Sequence, residues 1–116
     1  MPTLIANKKW LDRHHPCWEK DKQFVFIGRG SKLGNDFTHL PLSQTKARYS
    51  VRTRQEAINC FDAVLQSRLR HEEPGLRQLL LSCEGKTLVC YCHPLPCHAS
   101  VIIRLIEEIK AGMWPE

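Results

Sequence analysis

The sequence predicts a small single α/β domain in which helices flank a short, mainly parallel, three-stranded sheet. Three observations carry this. Phe24-Val25-Phe26-Ile27 and Lys86-Thr87-Leu88-Val89-Cys90-Tyr91 are short apolar runs of strand type, and each ends in a loop rich in glycine, proline or cysteine. Helical periodicity fills the chain between them, and crossovers of that kind join parallel neighbours. The chain has 116 residues, 42% hydrophobic and 25% charged, which are ordinary globular values and enough for one core.

Taken in order, residues 1–22 read as a polar lead with a first strand at Thr3-Leu4-Ile5-Ala6. Trp10 and Trp18 should pack over the core or an open sheet edge, and His14, His15 and Cys17 form a local cluster of metal-ligand types in an exposed turn. The core region, 23–112, opens with the strand from Gln23 to Ile27. After the glycine-rich stretch Gly28–Asp36, residues 38–50 read as a loop, with Pro41 and a polar run from Ser43 to Arg48, long enough to act as a lid. Thr53 followed by Glu56 is a capping box, and Ile58, Phe61, Leu65 and Leu69 should face the sheet from the helix it starts. A shorter helix from Leu76 to Ser82 leads through Gly85 into the cysteine-bearing strand. Val101, Ile102, Leu105, Ile106 and Ile109 recur at helical spacing in the last helix, with Pro96 in its first turn and Gly112 and Pro115 marking its stop. The layout is Rossmann-like in two or three layers, and a sparsely covered sheet face leaves room for a homodimer.

No apolar run approaches the ~20 residues that span a bilayer, and the N-terminus lacks a signal-like segment. A cytoplasmic protein without membrane contact is expected, so the six cysteines read as free thiols or metal ligands before disulfides. The formal net charge is +5. Between Lys46 and Arg70, six basic residues (Lys46, Arg48, Arg52, Arg54, Arg68, Arg70) face only Glu56 and Asp62. Such a face attracts phosphates, whether of a nucleotide or of nucleic acid, although no aromatic residues interleave as a stacking platform would require.

The chemistry concentrates in Cys90-Tyr91-Cys92-His93-Pro94-Leu95-Pro96-Cys97-His98, which packs three of six cysteines and two of six histidines into one strand-to-helix junction. With Cys97 and His98 in the first helical turn, free N–H groups and the helix dipole favour a thiolate or a bound anion there. Gly28-Arg29-Gly30-Ser31-Lys32-Leu33-Gly34-Asn35 follows the other strand and suits an anion, although it is neither the dinucleotide fingerprint nor a P-loop. Both segments leave parallel strands at their carboxyl ends and should form one pocket. Cys97 is the expected reactive thiol, with Cys60, Cys83 and Cys90 protected. His98 is the expected acid or base, and Cys92 joins them. Gly28, Arg29, Gly30, Gly34, Asn35 and Arg54 are the expected ligand-binding residues. Asp36 and Glu56 are the nearest carboxylates.

Three functions follow from these residues. The first is a small enzyme or sensor that binds a nucleotide- or nucleoside-like anionic ligand without a metal and, if an enzyme, acts on it as a hydrolase or transferase. The second is a zinc-binding module using Cys90, Cys92, Cys97 and His98. The residue types fit, but adjacent Cys97 and His98 diverge by about 100° on a helix and would share one ion only with distortion. The third is a basic nucleic-acid or protein interaction module whose cysteines merely pack.

Ile27-Gly28-Arg29-Gly30, Leu33-Gly34-Asn35-Asp36-Phe37, the helix start Thr53-Arg54-Gln55-Glu56-Ala57-Ile58, and Leu88-Val89-Cys90-Tyr91-Cys92 running to Pro96-Cys97-His98 occur here in fixed order. In these motifs, from about Phe24 to Ile109, the chain resembles the uncharacterised bacterial and phage family catalogued as domain of unknown function 4326. The resemblance implies a shared fold and a recurrent arginine at Arg54. It implies no reaction, because the family has no settled activity. By analogy of fold alone, the layout is similar to nucleotide-binding and nucleoside-transferase domains. Where the family usually has proline after Asn35, this chain has Asp36, which adds a negative charge to the loop.

Overall fold

A computed structural model of the chain describes residues 2–40 and 47–114. Pro41, Lys46, Pro115 and the Ser43–Lys46 part of the expected polar loop lie outside the described residues. Three strands form the main sheet: β1 (Leu4–Asn7), β2 (Phe24–Phe26) and β5 (Thr87–Cys90). Their order is β1-β5-β2 and both pairings are parallel, with Leu4 and Phe24 each opposite Thr87. β5 is therefore central, and every one of its residues is buried, as its unbroken apolar run requires.

The period-2 alternation of the strands divides the core between two faces. Leu88 and Cys90 of β5, Val25 and Ile5 point into the larger cluster. Helices α2 (Arg54–Arg70), α3 (Leu76–Ser82) and α4 (Ala99–Lys110) fill that side with Ile58, Phe61, Leu65, Leu80, Ile102, Leu105 and Ile106. Val89, Ala6, Phe24 and Phe26 point the other way, onto Leu11 of α1 (Lys8–His14) and Trp18 of a 3₁₀ turn (Trp18–Lys20). The arrangement is the three-layer alternative, with one thin layer.

α1 corrects the reading of the N-terminal lead. It carries one buried residue, Leu11, so it leaves no apolar stripe to find. What holds it is a cap: the Asn7 side chain accepts the Trp10 N–H at 3.2 Å. The two tryptophans differ. Trp18 is buried and donates its indole N–H to Asp12 at 2.9 Å, whereas Trp10 is 57% exposed and stacks on His14. At the start of α2, Thr53 accepts the Glu56 N–H at 3.0 Å and Glu56 accepts the N–H of Arg52, also at 3.0 Å, one residue ahead of a standard capping box. Residues Phe37–Thr38 (β3) and Tyr49–Ser50 (β4), within and beside the expected loop, form a two-residue parallel ladder.

α4 is a second correction. It begins at Ala99 with His98 as its cap residue, so Pro96, Cys97 and His98 precede the first helical turn instead of forming it. The prolines shape the approach instead: residues 92–95 close a turn through the Leu95 N–H and the Cys92 carbonyl at 2.8 Å, with a cis His93–Pro94 bond. Cys60 also departs from expectation, being only half-buried, while Cys83 is in the core.

Candidate functional site

The segments after β2 and β5 leave the sheet at one edge, and the start of α2 points at them. Together they enclose a cavity of about 280 Å³. Gly28, Arg29 and Asn35 line it from the first segment, Cys90–Cys92 and Leu95–His98 from the second, Phe37–Leu40 from β3 and its continuation, and Arg54, Ala57 and Ile58 from α2. The expected single pocket is formed. Of the expected site residues, Cys92, Cys97, His98, Gly28, Arg29, Asn35 and Arg54 line it, and Gly30 and Gly34 do not.

The glycine loop is two successive turns. The Gly28 carbonyl accepts the Ser31 N–H and the Ser31 hydroxyl at 3.1 and 2.7 Å, and the Ser31 carbonyl accepts the Gly34 N–H at 3.1 Å. Gly30 supplies a left-handed position at φ 98°. Asn35 is buried and works as a fastener: its amide donates to the Ala57 carbonyl at 3.1 Å and accepts the Phe37 N–H at 2.9 Å, which fixes the loop to the first turns of α2. On the other side Asn7, unremarked in the sequence, donates to the Tyr91 and His93 carbonyls at 3.1 and 2.7 Å and holds the cysteine-rich turn against β1.

Among the described residues that line the cavity there is no Asp or Glu, and its permanent charges are Arg29 and Arg54. Arg29 donates from Nη2 to the Phe37 carbonyl at 3.0 Å, while its Nε is buried with no partner. Asp36 faces Arg68 in a separate groove, and Glu56 is taken up at the cap of α2, so neither expected carboxylate reaches the cavity. Of the expected basic face, Arg54 is at the cavity, Arg48 and Arg68 line the separate groove with Asp36, and Arg68 makes a bidentate pair with Glu73 at 2.7 and 2.8 Å. The mouth is apolar, with Tyr91 and Leu95 52% and 57% exposed and Phe37 and Pro96 beside them.

His98 is buried. Its Nε2 lies 2.7 Å from the Ile27 carbonyl, which only accepts, so that nitrogen carries the proton. The ring meets Phe61 edge-on at 4.8 Å. Burial first, with the nearby Arg29 charge, holds its pKa below the usual histidine value. The expected acid or base is thus a neutral tie between the start of α4 and the end of β2. A stability profile follows. The unfolded chain takes up a proton near pH 6.5 that the folded ring refuses, so stability falls as pH drops below that value, by at most about 1.4 kcal/mol per pH unit. His98→Gln, which keeps a donor for Ile27 and cannot titrate, should flatten that slope in urea midpoints taken between pH 6.5 and 5. An unchanged slope would place the titration elsewhere.

At the cavity floor the Cys97 thiol donates to Cys90, with the two sulfurs 3.2 Å apart, and the Ala99 N–H donates to the Cys97 sulfur, also at 3.2 Å. The hydrogen bond from Cys97, joined by the backbone N–H groups of His93 and Cys92, lowers the Cys90 thiol to about 6. The same interaction, with burial, pushes Cys97 up. Of the pair, Cys90 is the thiol pushed toward ionisation and Cys97 the one held protonated, where a helix start would favour Cys97. Burial alone raises Cys83.

No group of three or more metal-ligating side chains converges among the described residues. In the four-residue zinc set, His98 directs its Nε2 to Ile27, away from the thiols. His15 likewise faces Phe24 and Asp21. No helix among the described residues is long and apolar enough to cross a membrane.

The chain belongs to the family described as Domain of unknown function (DUF4326), which matches residues 11–108. The match begins at Leu11, well before the Phe24 start that the motifs suggest, and so takes in the end of α1 with Leu11, and Trp18, the two residues that cover the second face of the sheet. No curated protein and no solved structure matches the chain.

Proposed function

We propose that the cavity binds a small anionic, nucleotide-like ligand, with its anion at Arg29 and Arg54 and a planar ring at the apolar mouth. One observation carries the reading: the cavity holds two arginines and no carboxylate, and one guanidinium nitrogen is buried without an acceptor. A buried unpaired donor costs about 1–3 kcal/mol, which an acceptor seated beside it would relieve. Arg54 supports the same end. It has no hydrogen bond or ion pair among the described residues, and it opens a 17-residue helix whose first N–H groups favour negative charge.

Size narrows the class. At about 280 Å³ the cavity is at the small end of ligand sites, suited to a nucleoside monophosphate and too small for a dinucleotide. Tyr91, which meets Phe26 edge-on at 6.1 Å, gives the ring a held aromatic neighbour. Binding is the extent of the reading, since His98 is tied to Ile27 and no carboxylate is at hand to move a proton.

Thermal shift with a panel of nucleoside monophosphates, the matching nucleosides and inorganic phosphate tests it. At least one monophosphate should stabilise the protein more than its nucleoside or phosphate alone, by about 2.7 kcal/mol at a hundredfold excess over Kd. Arg29→Gln and Arg54→Gln should each weaken that binding about tenfold or more, as loss of a charge-assisted hydrogen bond does. If no monophosphate binds, or if both variants bind as the parent does, the reading fails.

A further inference from the structure

We propose that Cys90 and Cys97 are a peroxide-reactive dithiol that closes to a disulfide at the cavity floor. The proposal does not depend on which ligand the cavity takes. It begins from placement: Cys90 ends the central strand, Cys97 precedes α4, and the turn between them folds back so that the two sulfurs meet at 3.2 Å. Neither is an inert core thiol like Cys83, because both line the cavity. Each also has a specific donor. Cys97 gives its S–H to Cys90 and receives the Ala99 N–H, so a relay of donors runs toward the Cys90 sulfur. That sulfur is the nucleophile and Cys97 the group poised to resolve it.

Burial selects the oxidant. Cys90 and Cys97 are 1% and 6% exposed and line the cavity, so a bulky protein disulfide is shut out and a small hydroperoxide is admitted through it. The Cys90 thiolate attacks one peroxide oxygen, the O–O bond breaks, and the departing hydroxide takes the Cys97 proton to leave water and a Cys90 sulfenic acid. The Cys97 thiolate then attacks the Cys90 sulfur, forming the S–S bond. The hydroxide displaced there takes a proton from solvent. In all, one thiolate, one thiol, one hydrogen peroxide and one proton give one disulfide and two waters. The two sulfurs are oxidised and the peroxide is reduced. Cys92 also lines the cavity and is the competing thiol that a test has to separate.

The reduced full chain, treated with a few equivalents of hydrogen peroxide and then alkylated under denaturing conditions, should take up four alkyl groups in place of six and recover all six after reduction. Trypsin leaves Cys90, Cys92 and Cys97 in one peptide, 87–104. Cleavage after Tyr91 should leave its two parts joined by a disulfide in the parent and in Cys92→Ser. Cys97→Ser should stop at a Cys90 sulfenic acid that dimedone traps. Six alkyl groups after treatment, a bridge lost in Cys92→Ser, or oxidation of Cys90 directly to the sulfinic acid in the parent would each overturn the proposal. Because the parent and Cys92→Ser decide it alone, a Cys97→Ser variant that does not fold leaves the outcome readable.

Discussion

Leu88→Ala should destabilise the protein by about 2–5 kcal/mol, which is a large part of the roughly 5–15 kcal/mol that keeps a domain of this size folded. Leu88 is fully buried in the middle of the central strand, opposite Ile5 on one side and Val25 on the other. Its side chain enters the larger cluster, where three helices have closed over the sheet, so the removed atoms leave a hole that neighbours pinned in a parallel ladder fill poorly. Val64→Ala is the control. That residue is 44% exposed on α2, and its truncation should cost well under 1 kcal/mol. Urea midpoints of the two variants against the parent check the difference, and equal costs would mean that β5 does not hold the centre of the core.

The elements that showed in the sequence are those whose signal is local. β5 is buried on both faces and so reads as an unbroken apolar run. Thr53 and Glu56 mark the start of α2 within four residues, and Leu76–Ser82 is helical over the expected residues. What stayed hidden depends on partners far along the chain or on elements too small to carry a period. α1 buries one residue in seven, and β3 and β4 have two residues each. The start of α4 is misread because Pro96 suits a first helical turn, yet here it lies in the link between the turn of residues 92–95 and Cys97. The site shows the same division. Arg29, Arg54 and the cysteine turn are visible as residue types, and parallel strands bring them to one edge. The roles of Asn35 and His98 arise from carbonyls of Ala57 and Ile27, 22 and 71 residues away, which no spacing rule reaches. Asn35 and His98 therefore hold the walls, and Arg29, Arg54 and the Cys90–Cys97 pair line the cavity between them.

Gly34→Ala should cost about 1–3 kcal/mol and also disturb the cavity, although Gly34 does not line it. A Cβ at this position would lie 2.6 Å from the Gly28 carbonyl oxygen and 2.9 Å from the Arg29 Cα. Both are backbone atoms, so no side-chain rotation relieves the contact and one turn of the loop has to move. The Gly28–Arg29 backbone would be pushed away, and it carries the guanidinium whose Nη2 is fixed to Phe37. Gly30→Ala provides the contrast. It has open space but a left-handed φ of 98°, so its cost is backbone strain of about 1–2 kcal/mol with no displaced neighbour. Both variants should lose stability in urea. Only Gly34→Ala should also change access to the cavity, read as the rate at which iodoacetamide labels the half-buried Cys92 in the folded protein. If Gly34→Ala labels Cys92 at the parent's rate while Gly30→Ala changes it, then the close approach of Gly34 to Gly28 and Arg29 is not what shapes that wall.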